Sequence, residues 1–463
     1  MREKNTAIRD LLGIAQKAEK KGDTLTIRGW IKSNRLSGRV GFMTITDGSC
    51  FKPCQVVYDA NNISNFEETS RIGTGCTVEV LGTVELTPEM KQPFDFIASE
   101  ITLLGGCDPD YPLQKNRIGL DKLREMPHLR PKTNTFQAVF KVRSDLSLAI
   151  HEFFKERGFL YITTPIITGN DAEGAGEVFT VTTRADNDYE KDFFGKHASL
   201  TVSGQLHVEP FALAYGNVYT FGPTFRAENS NTSYHASEFW MIEPEIAGAD
   251  LNDDMALIED MVKYCIDYVL NNSTDEMQFL NDFIDPKHTL IEDLKAICDS
   301  EFEVYDYTDA VDYLSEAISK GVKFEFPVFW GMDLKSEHER YLCETRAKGP
   351  LFIINYPKEI KSFYMRLNDD GKTVAACDLL VPGAGELIGG AQREERYDML
   401  VKRMEEMNIP LEPLSWYADL RRFGTIKHAG FGFGLERMML FLTRIGNIRD
   451  TIPYARTPNN MRF

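Results

Sequence analysis

The chain has 463 residues, 43% hydrophobic and 26% charged, with a formal net charge of -18. This composition excludes a disordered chain and predicts about three domains of ordinary size. No run of about eighteen apolar residues offers a membrane span, and so acidic a chain is no general nucleic-acid binder, although it can carry a local basic face. The eight cysteines are scattered, without His or Cys partners at metal-ligand spacing, as expected of reduced thiols. The opening MREKNTAIRD is charged and lacks the apolar stretch of a secretory signal, so a cytoplasmic location is expected.

Up to about Asp23 the chain reads as a short amphipathic helix or arm. From Leu25 to about Gly106 the pattern becomes alternation, in LTIRGWI, VGFMTIT, PCQVVYD, TVEVLGTVEL and FDFIASEITLL. Turn residues such as Asp47-Gly48 separate these runs. Five short strands in this length predict an oligonucleotide-binding barrel over 1–106, with an unrelated small β-domain as the alternative. Such a barrel stacks single-stranded bases on aromatic rings and reads their edges with polar groups. Arg35, Phe42 and Gln55 fall on successive strands where this can happen. Gly105 to Pro112 marks a boundary, and 107–134 is read as a hinge. The stretch from here is locally basic: Lys115, Arg117, Lys122, Arg124, Arg130, Lys132, Lys141 and Arg143 suit either an RNA backbone or solvated helix faces.

Thr135 to Arg157 has helical periodicity, with Val139, Val142, Leu146, Ile150 and Phe153 on one face. Gly158 ends that helix, and a strand running to Pro165 follows. Asp171 to Glu177 is glycine-rich, which suits either a loop closing over a ligand or a plain acidic turn. Ser203-Gly204-Gln205-Leu206 reads as a strand-to-helix turn.

Val218 to Ile246 reads as two strands around a long polar loop. Arg226 leaves the first strand with Glu228 two residues on, on the same face. A fixed guanidinium there can clamp a phosphate, although such pairs are more often structural. Asp250 to Leu270 is a helix with acids at its start. About 275–355 reads as an inserted module of short helices, with no chemistry assigned to it. Asp378 and Glu386 then flank a Pro-Gly-Ala-Gly turn, a pair that could hold magnesium through oxygen. In Gly430-Phe431-Gly432-Phe433-Gly434-Leu435-Glu436-Arg437, alternate glycines would let a flat ligand lie on bare backbone.

The stretches 158–165, 218–246 and 430–437, in that order, resemble the three motifs of class II aminoacyl-tRNA synthetases. The barrel is similar to that of the subgroup for aspartate, asparagine and lysine. The resemblance implies an α+β chain: an N-terminal five-stranded oligonucleotide-binding (OB) barrel, then a catalytic domain over 135–463 built on an antiparallel sheet flanked by helices. It implies catalytic roles for Arg226, Glu228 and Arg437, and ATP contacts from these three with His235, Phe239, Glu386 and Gly434. It places Glu173, Ser203, Gln205, Glu243 and Arg393 around the amino acid, Arg393 on its α-carboxylate. It gives Asp378 and Glu386 to Mg2+, and Arg35, Phe42 and Gln55 to the anticodon.

The expected substrates are ATP, L-asparagine and tRNA(Asn), with aspartate as the alternative amino acid. The expected assembly is a homodimer joined through the catalytic domain at the Pro165 motif, with no membrane contact. Asparagine is preferred because Val208 stands where aspartyl relatives carry a lysine, and because Glu243 would repel a carboxylate. Two positions depart from the pattern: Tyr234, where the family more commonly has arginine, and Gly389, where aspartyl relatives carry a serine that helps hold the metal.

Overall fold

Alternation along the first strands is what closes them on themselves. A computed structural model describes residues 5–17, 23–90, 92–114, 118–170 and 177–463. The chain forms two compact units, 1–137 and 138–463. In the first, β1 (Leu25–Ser37), β2 (Val40–Thr46), β3 (Cys54–Asp59), β4 (Thr77–Leu86) and β5 (Phe94–Gly105) make a closed barrel in the order β1-β2-β3-β5-β4. Ile27, Met43, Ile45, Val56, Val80 and Phe96 point inward, and Ile8 and Leu11 from the N-terminal segment share that core. Closure leaves no unpaired edge. Tyr58 packs onto bare backbone at Gly41, where a Cβ would lie 2.0 Å from the ring. The basic stretch beyond the barrel is largely used internally. Lys122 pairs with Glu125, Arg124 with Asp121, Lys141 with Asp145 and Arg143 with Glu436, and Arg130 is buried over the Phe136 ring. Lys115 and Arg117 lie outside the described residues.

The helix Asn134–Glu156 opens the second unit, and Gly158 ends it at φ 76°. The main sheet has eight strands: β6 (Leu160–Tyr161), β10 (Asn217–Phe225), β11 (Glu238–Ala247), β12 (Glu303–Asp306), β13 (Leu351–Pro357), β14 (Thr373–Val381), β15 (Gly385–Gln392) and β16 (His428–Gly434). Their order is β12-β13-β14-β15-β16-β11-β10-β6. It is antiparallel except for the outer pairs β12–β13 and β6–β10. A small sheet of β7 (Ile167–Thr168), β8 (Thr180–Val181) and β9 (Ala198–Leu200) stands apart from it. The helix Leu251–Asn272, capped by Asp250, packs across β14, β15 and β16.

Two expectations are corrected here. The strand expected to reach Pro165 is only Leu160–Tyr161, plus one bond from Ile162 N to the Tyr219 carbonyl. Proline has no N–H to extend a ladder, and the chain leaves the sheet before it. The stretch 275–355 is not a purely helical module, because it supplies β12 and β13 to the main sheet. Leu351, Phe352 and Ile353 are consecutive and all buried, the pattern of a strand covered on both faces, which shows no alternation.

Candidate active site

The site is laid out along β11 and its neighbour β16. The odd-numbered residues of β11 face the alternate glycines of β16. A Cβ on Gly434 would lie 3.9 Å from Phe239, one on Gly432 3.2 Å from Met241 and 3.6 Å from Glu243, and one on Gly430 2.6 Å from Glu245. Bare backbone on one strand therefore makes room for a line of large side chains on the other. Phe239 stands at one end of that line and Glu245 at the other.

At the Phe239 end lies a cavity of about 230 Å³. Arg226, Glu228, His235, Phe239, Glu386, Gly434 and Arg437 all line it, so the seven residues expected around ATP meet in one place. Arg226 follows the last residue of β10, and its guanidinium lies 5.5 Å from the Phe239 ring centre. Arg437 sits in the first turn of the helix Leu435–Thr443. Its neighbour Glu436 turns inward to Arg143 (2.7 Å) and to the Trp240 amide (3.0 Å), while Arg437 faces the cavity. His235 shares a hydrogen bond with the Thr232 hydroxyl at 2.5 Å. Partial desolvation, then Arg437, lower its pKa. Exposed Tyr234 also lines this cavity.

Asp378 and Glu386 converge over Gly389, where a Cβ would lie 3.4 and 3.5 Å from their carboxylate oxygens. Desolvation, then the Asp378 carboxylate, push Glu386 above the usual carboxylate range. Lys361 holds Asp378 at 2.6 Å, and the Glu386 amide donates to Glu339 at 3.3 Å. Glu339 is raised to about 7 by burial and then by Glu386. Lys361 and Glu339 were missed in the sequence, since both come from segments with no local motif. Among the described residues no group of three or more His, Cys, Asp or Glu is arranged to hold a metal ion.

At the other end the side chains are buried. Ser203 Oγ donates to Glu243, and the Gly204 amide donates to the same carboxylate at 2.9 Å. Arg393 is 4% exposed and pairs with Glu245 through Nε and Nη2. Gln205 is buried in the first turn of the helix Gln205–Tyr215, its amide 3.5 Å from Glu209. Glu173 lies outside the described residues. Val208 is fully buried and packs with Ala212, Val218 and Ile162 in an apolar cluster. The group that the sequence did not reveal is Glu209, bound by Tyr417, Arg421 and His428.

On the barrel, Arg35 pairs across strands with Phe42, its guanidinium 5.3 Å from the ring centre. Gln55 lies on the next strand and donates to Asp95 at 3.0 Å. All three side chains lie outside the barrel core.

Residues 25–104 match the OB-fold nucleic acid binding domain, and residues 120–458 match the tRNA synthetases class II (D, K and N). The fold and the arginine-lined cavity thus define a class II aminoacyl-tRNA synthetase. The chain is 53% identical over 452 residues to the asparagine–tRNA ligase of Acetivibrio thermocellus, covering 96% of each. It is 54% identical over 452 residues to that of Clostridium acetobutylicum, again covering 96% of each. It superposes on the asparaginyl-tRNA synthetase of Pyrococcus horikoshii complexed with asparaginyl-adenylate with a TM-score of 0.86, at 30% identity over 99% of both chains. The chain belongs to the asparagine–tRNA ligase family.

Proposed function

We infer that this chain ligates L-asparagine to tRNA(Asn) with ATP, through an asparaginyl-adenylate, releasing AMP and pyrophosphate. The observation that carries this reading is the single cavity joining Arg226, Glu228 and Arg437 at the end of the glycine-lined strand. The family supports it, as does the likeness to a structure holding asparaginyl-adenylate. Likeness to aspartyl-tRNA synthetases, at 20–21% identity, reports the fold alone.

In this reading Arg393 grips the α-carboxylate of asparagine, with Ser203, Gln205, Glu243 and Glu173 around the rest of the amino acid. One carboxylate oxygen attacks the α-phosphorus in line. The new P–O bond forms as the bond to pyrophosphate breaks, and Arg226 faces the charge that grows on the phosphoryl oxygens. Arg437 holds the terminal phosphate, while Phe239 and Gly434 seat the base and His235 lies close by. A ribose hydroxyl of the terminal tRNA nucleotide then attacks the acyl carbon, and AMP leaves with the bonding electron pair. No side-chain nucleophile is required, and the barrier falls through positioning and charge.

Asp378 and Glu386 fit magnesium, since their carboxylate oxygens converge over Gly389 and the Asp378 carboxylate helps raise the Glu386 pKa, a pairing that a cation would relieve. The ion would neutralise phosphate charge. Lys361 places one positive charge beside Asp378 at 2.6 Å.

The barrel, residues 1–106, is assigned to the anticodon through Arg35, Phe42 and Gln55, with 107–134 as hinge and 135–463 as catalytic domain. We also assign a homodimer through the Pro165 motif, supported by Leu160, Tyr161, Ile166 and Ile167, which leave an exposed apolar edge. No helix of the described residues is long and apolar enough to cross a membrane, and a cytoplasmic site of action suits the proposed role. The deciding experiment is pyrophosphate exchange with asparagine and aspartate side by side. Exchange with asparagine alone is expected, and equal exchange with aspartate would overturn the amino-acid assignment. Light scattering at micromolar concentration tests the dimer, which a fully active stable monomer would refute.

A further inference from the structure

Behind Arg393 lies a polar cluster that the reaction does not use. Glu209, fully buried on the helix Gln205–Tyr215, is its centre. One carboxylate oxygen accepts from Arg421 Nη2 (2.5 Å) and His428 Nε2 (2.8 Å), and the other from Tyr417 Oη (2.7 Å) and, at 3.5 Å, from Gln205 Nε2. His428 Nδ1 lies 2.8 Å from the Ile426 carbonyl. A carbonyl and a carboxylate both accept, so both ring nitrogens must donate and the ring is an imidazolium. Burial alone would lower the His428 pKa, but the facing Glu209 carboxylate outweighs it and raises it.

The two residues bound by Glu209 also touch the backbone around Arg393, Arg421 through its side chain and His428 through its main-chain carbonyl. Arg421 Nε donates to the Glu394 carbonyl at 2.7 Å, and the Arg393 amide donates to the His428 carbonyl at 2.8 Å. The Arg393 side chain is held separately by Glu245 through Nε and Nη2. Among the described residues its Nη1 has no hydrogen-bond partner. Arg393, Arg421 and His428 face Glu209 and Glu245, three cations against two anions. Asp254, buried beside Gly390, has its pKa raised well above the carboxylate range by burial, and burial likewise raises the Tyr417 phenol.

We propose that Glu209, which touches neither substrate, is a positioning residue for amino-acid binding: by anchoring Arg421 and His428 it fixes Arg393 toward the bound asparagine. This rests on the reading of Arg393 given above.

The test is pyrophosphate exchange by the full-length enzyme, with KM measured separately for asparagine and ATP. Glu209→Gln keeps the size of the side chain but leaves two buried cations without their anion. It should raise KM for asparagine by about 10–100-fold while KM for ATP stays within about twofold. An unchanged KM for asparagine in a folded variant overturns the proposal, as does an equal rise for both substrates, which would mean general loosening. If Glu209→Gln does not fold, Tyr417→Phe decides, since it removes the hydroxyl that donates to Glu209 and accepts from Arg421 Nη2 (3.1 Å), and no charge. A rise of about two- to fivefold for asparagine alone then supports the proposal, and no change overturns it. Arg393→Lys separates the two layers. If that variant keeps its KM for asparagine, the assignment of Arg393 fails whatever Glu209 does; if it loses asparagine binding while Glu209→Gln does not, only the role of Glu209 fails.

Discussion

The two ends of β11 are built in opposite ways. At the Phe239 end, Arg437 and Glu386 are about 40% exposed, at 38% and 41%, and they meet loosely at 3.8 Å. At the Glu245 end, Glu245, Glu209, Arg421 and His428 have no exposed side-chain surface, and each is held by another buried group. A triphosphate is large and multiply charged, so long arms around an open cavity suffice to grip it. An amino acid is small, and choosing it depends on groups that cannot adjust to a wrong ligand. On the proposed function, openness is paired with charge delivery, and burial with discrimination.

The strongest challenge to this contrast is to remove a charge at the closed end. Glu245→Ala leaves Arg393 buried without its partner, and unfolding free energy should fall by about 3–5 kcal/mol in a urea melt. A melt like that of the parent chain would show the closed end to be less rigid than its contacts imply.

Arg226→Ala and Arg437→Ala probe the open end. Each should cost about 3 kcal/mol of transition-state stabilisation in pyrophosphate exchange. Because these arms carry little of the fold, circular dichroism melts should stay within about 0.5 kcal/mol of the parent. Near-normal exchange would mean that the triphosphate lies elsewhere.

A third region sharpens the comparison from outside the catalytic unit. Phe42→Ala on the barrel should weaken tRNA charging by about 1–3 kcal/mol, the worth of a lost base stack, and leave amino-acid-dependent exchange intact. Exchange and charging falling together would contradict an anticodon role.

The smallest effect expected is with pH. The folded His428 pKa is raised above its unfolded value, so the stability it contributes is fully present below the unfolded pKa of about 6.5 and is lost as pH rises through the folded pKa. Glu209 acts oppositely. Burial alone would raise its pKa, but Arg421 and then His428 outweigh this and lower it, so its contribution is lost only as pH falls into the acid range. A thermal-melt series from pH 6 to 9 should show a decline that His428→Asn flattens. A parallel decline in the variant would locate the titrating group elsewhere.

Much of the open end is legible in the sequence itself. The glycine alternation at 430–434, the arginine leaving β10 and the arginine after β16 are local patterns. A strand turns every second residue to one face, so period and spacing alone bring such residues to one side. The barrel is legible for the same reason, its inward residues marking each strand in turn. The long helix Asn134–Glu156 and its stop at Gly158 follow from periodicity and a single glycine.

The closed end is a different kind of object. Glu209 and His428 are 219 positions apart and Glu209 and Arg421 are 212 apart, with no motif linking them. The sequence shows a glutamate inside a helix, which is usually a solvated one. Only the docking of Gln205–Tyr215 against Ser415–Arg422 and β16 makes it the centre of a buried cluster. The rotation of that same helix decides that Val208 faces Ala212 and Val218. Likewise β12 and β13 became strands of the main sheet because the sheet had an edge to extend, which their own residues could not disclose. The sequence determined which side chains share a face of one element, because that depends on backbone period. The tertiary structure alone decided which faces meet, because burying a charge is tolerable only where a partner from a distant element satisfies it.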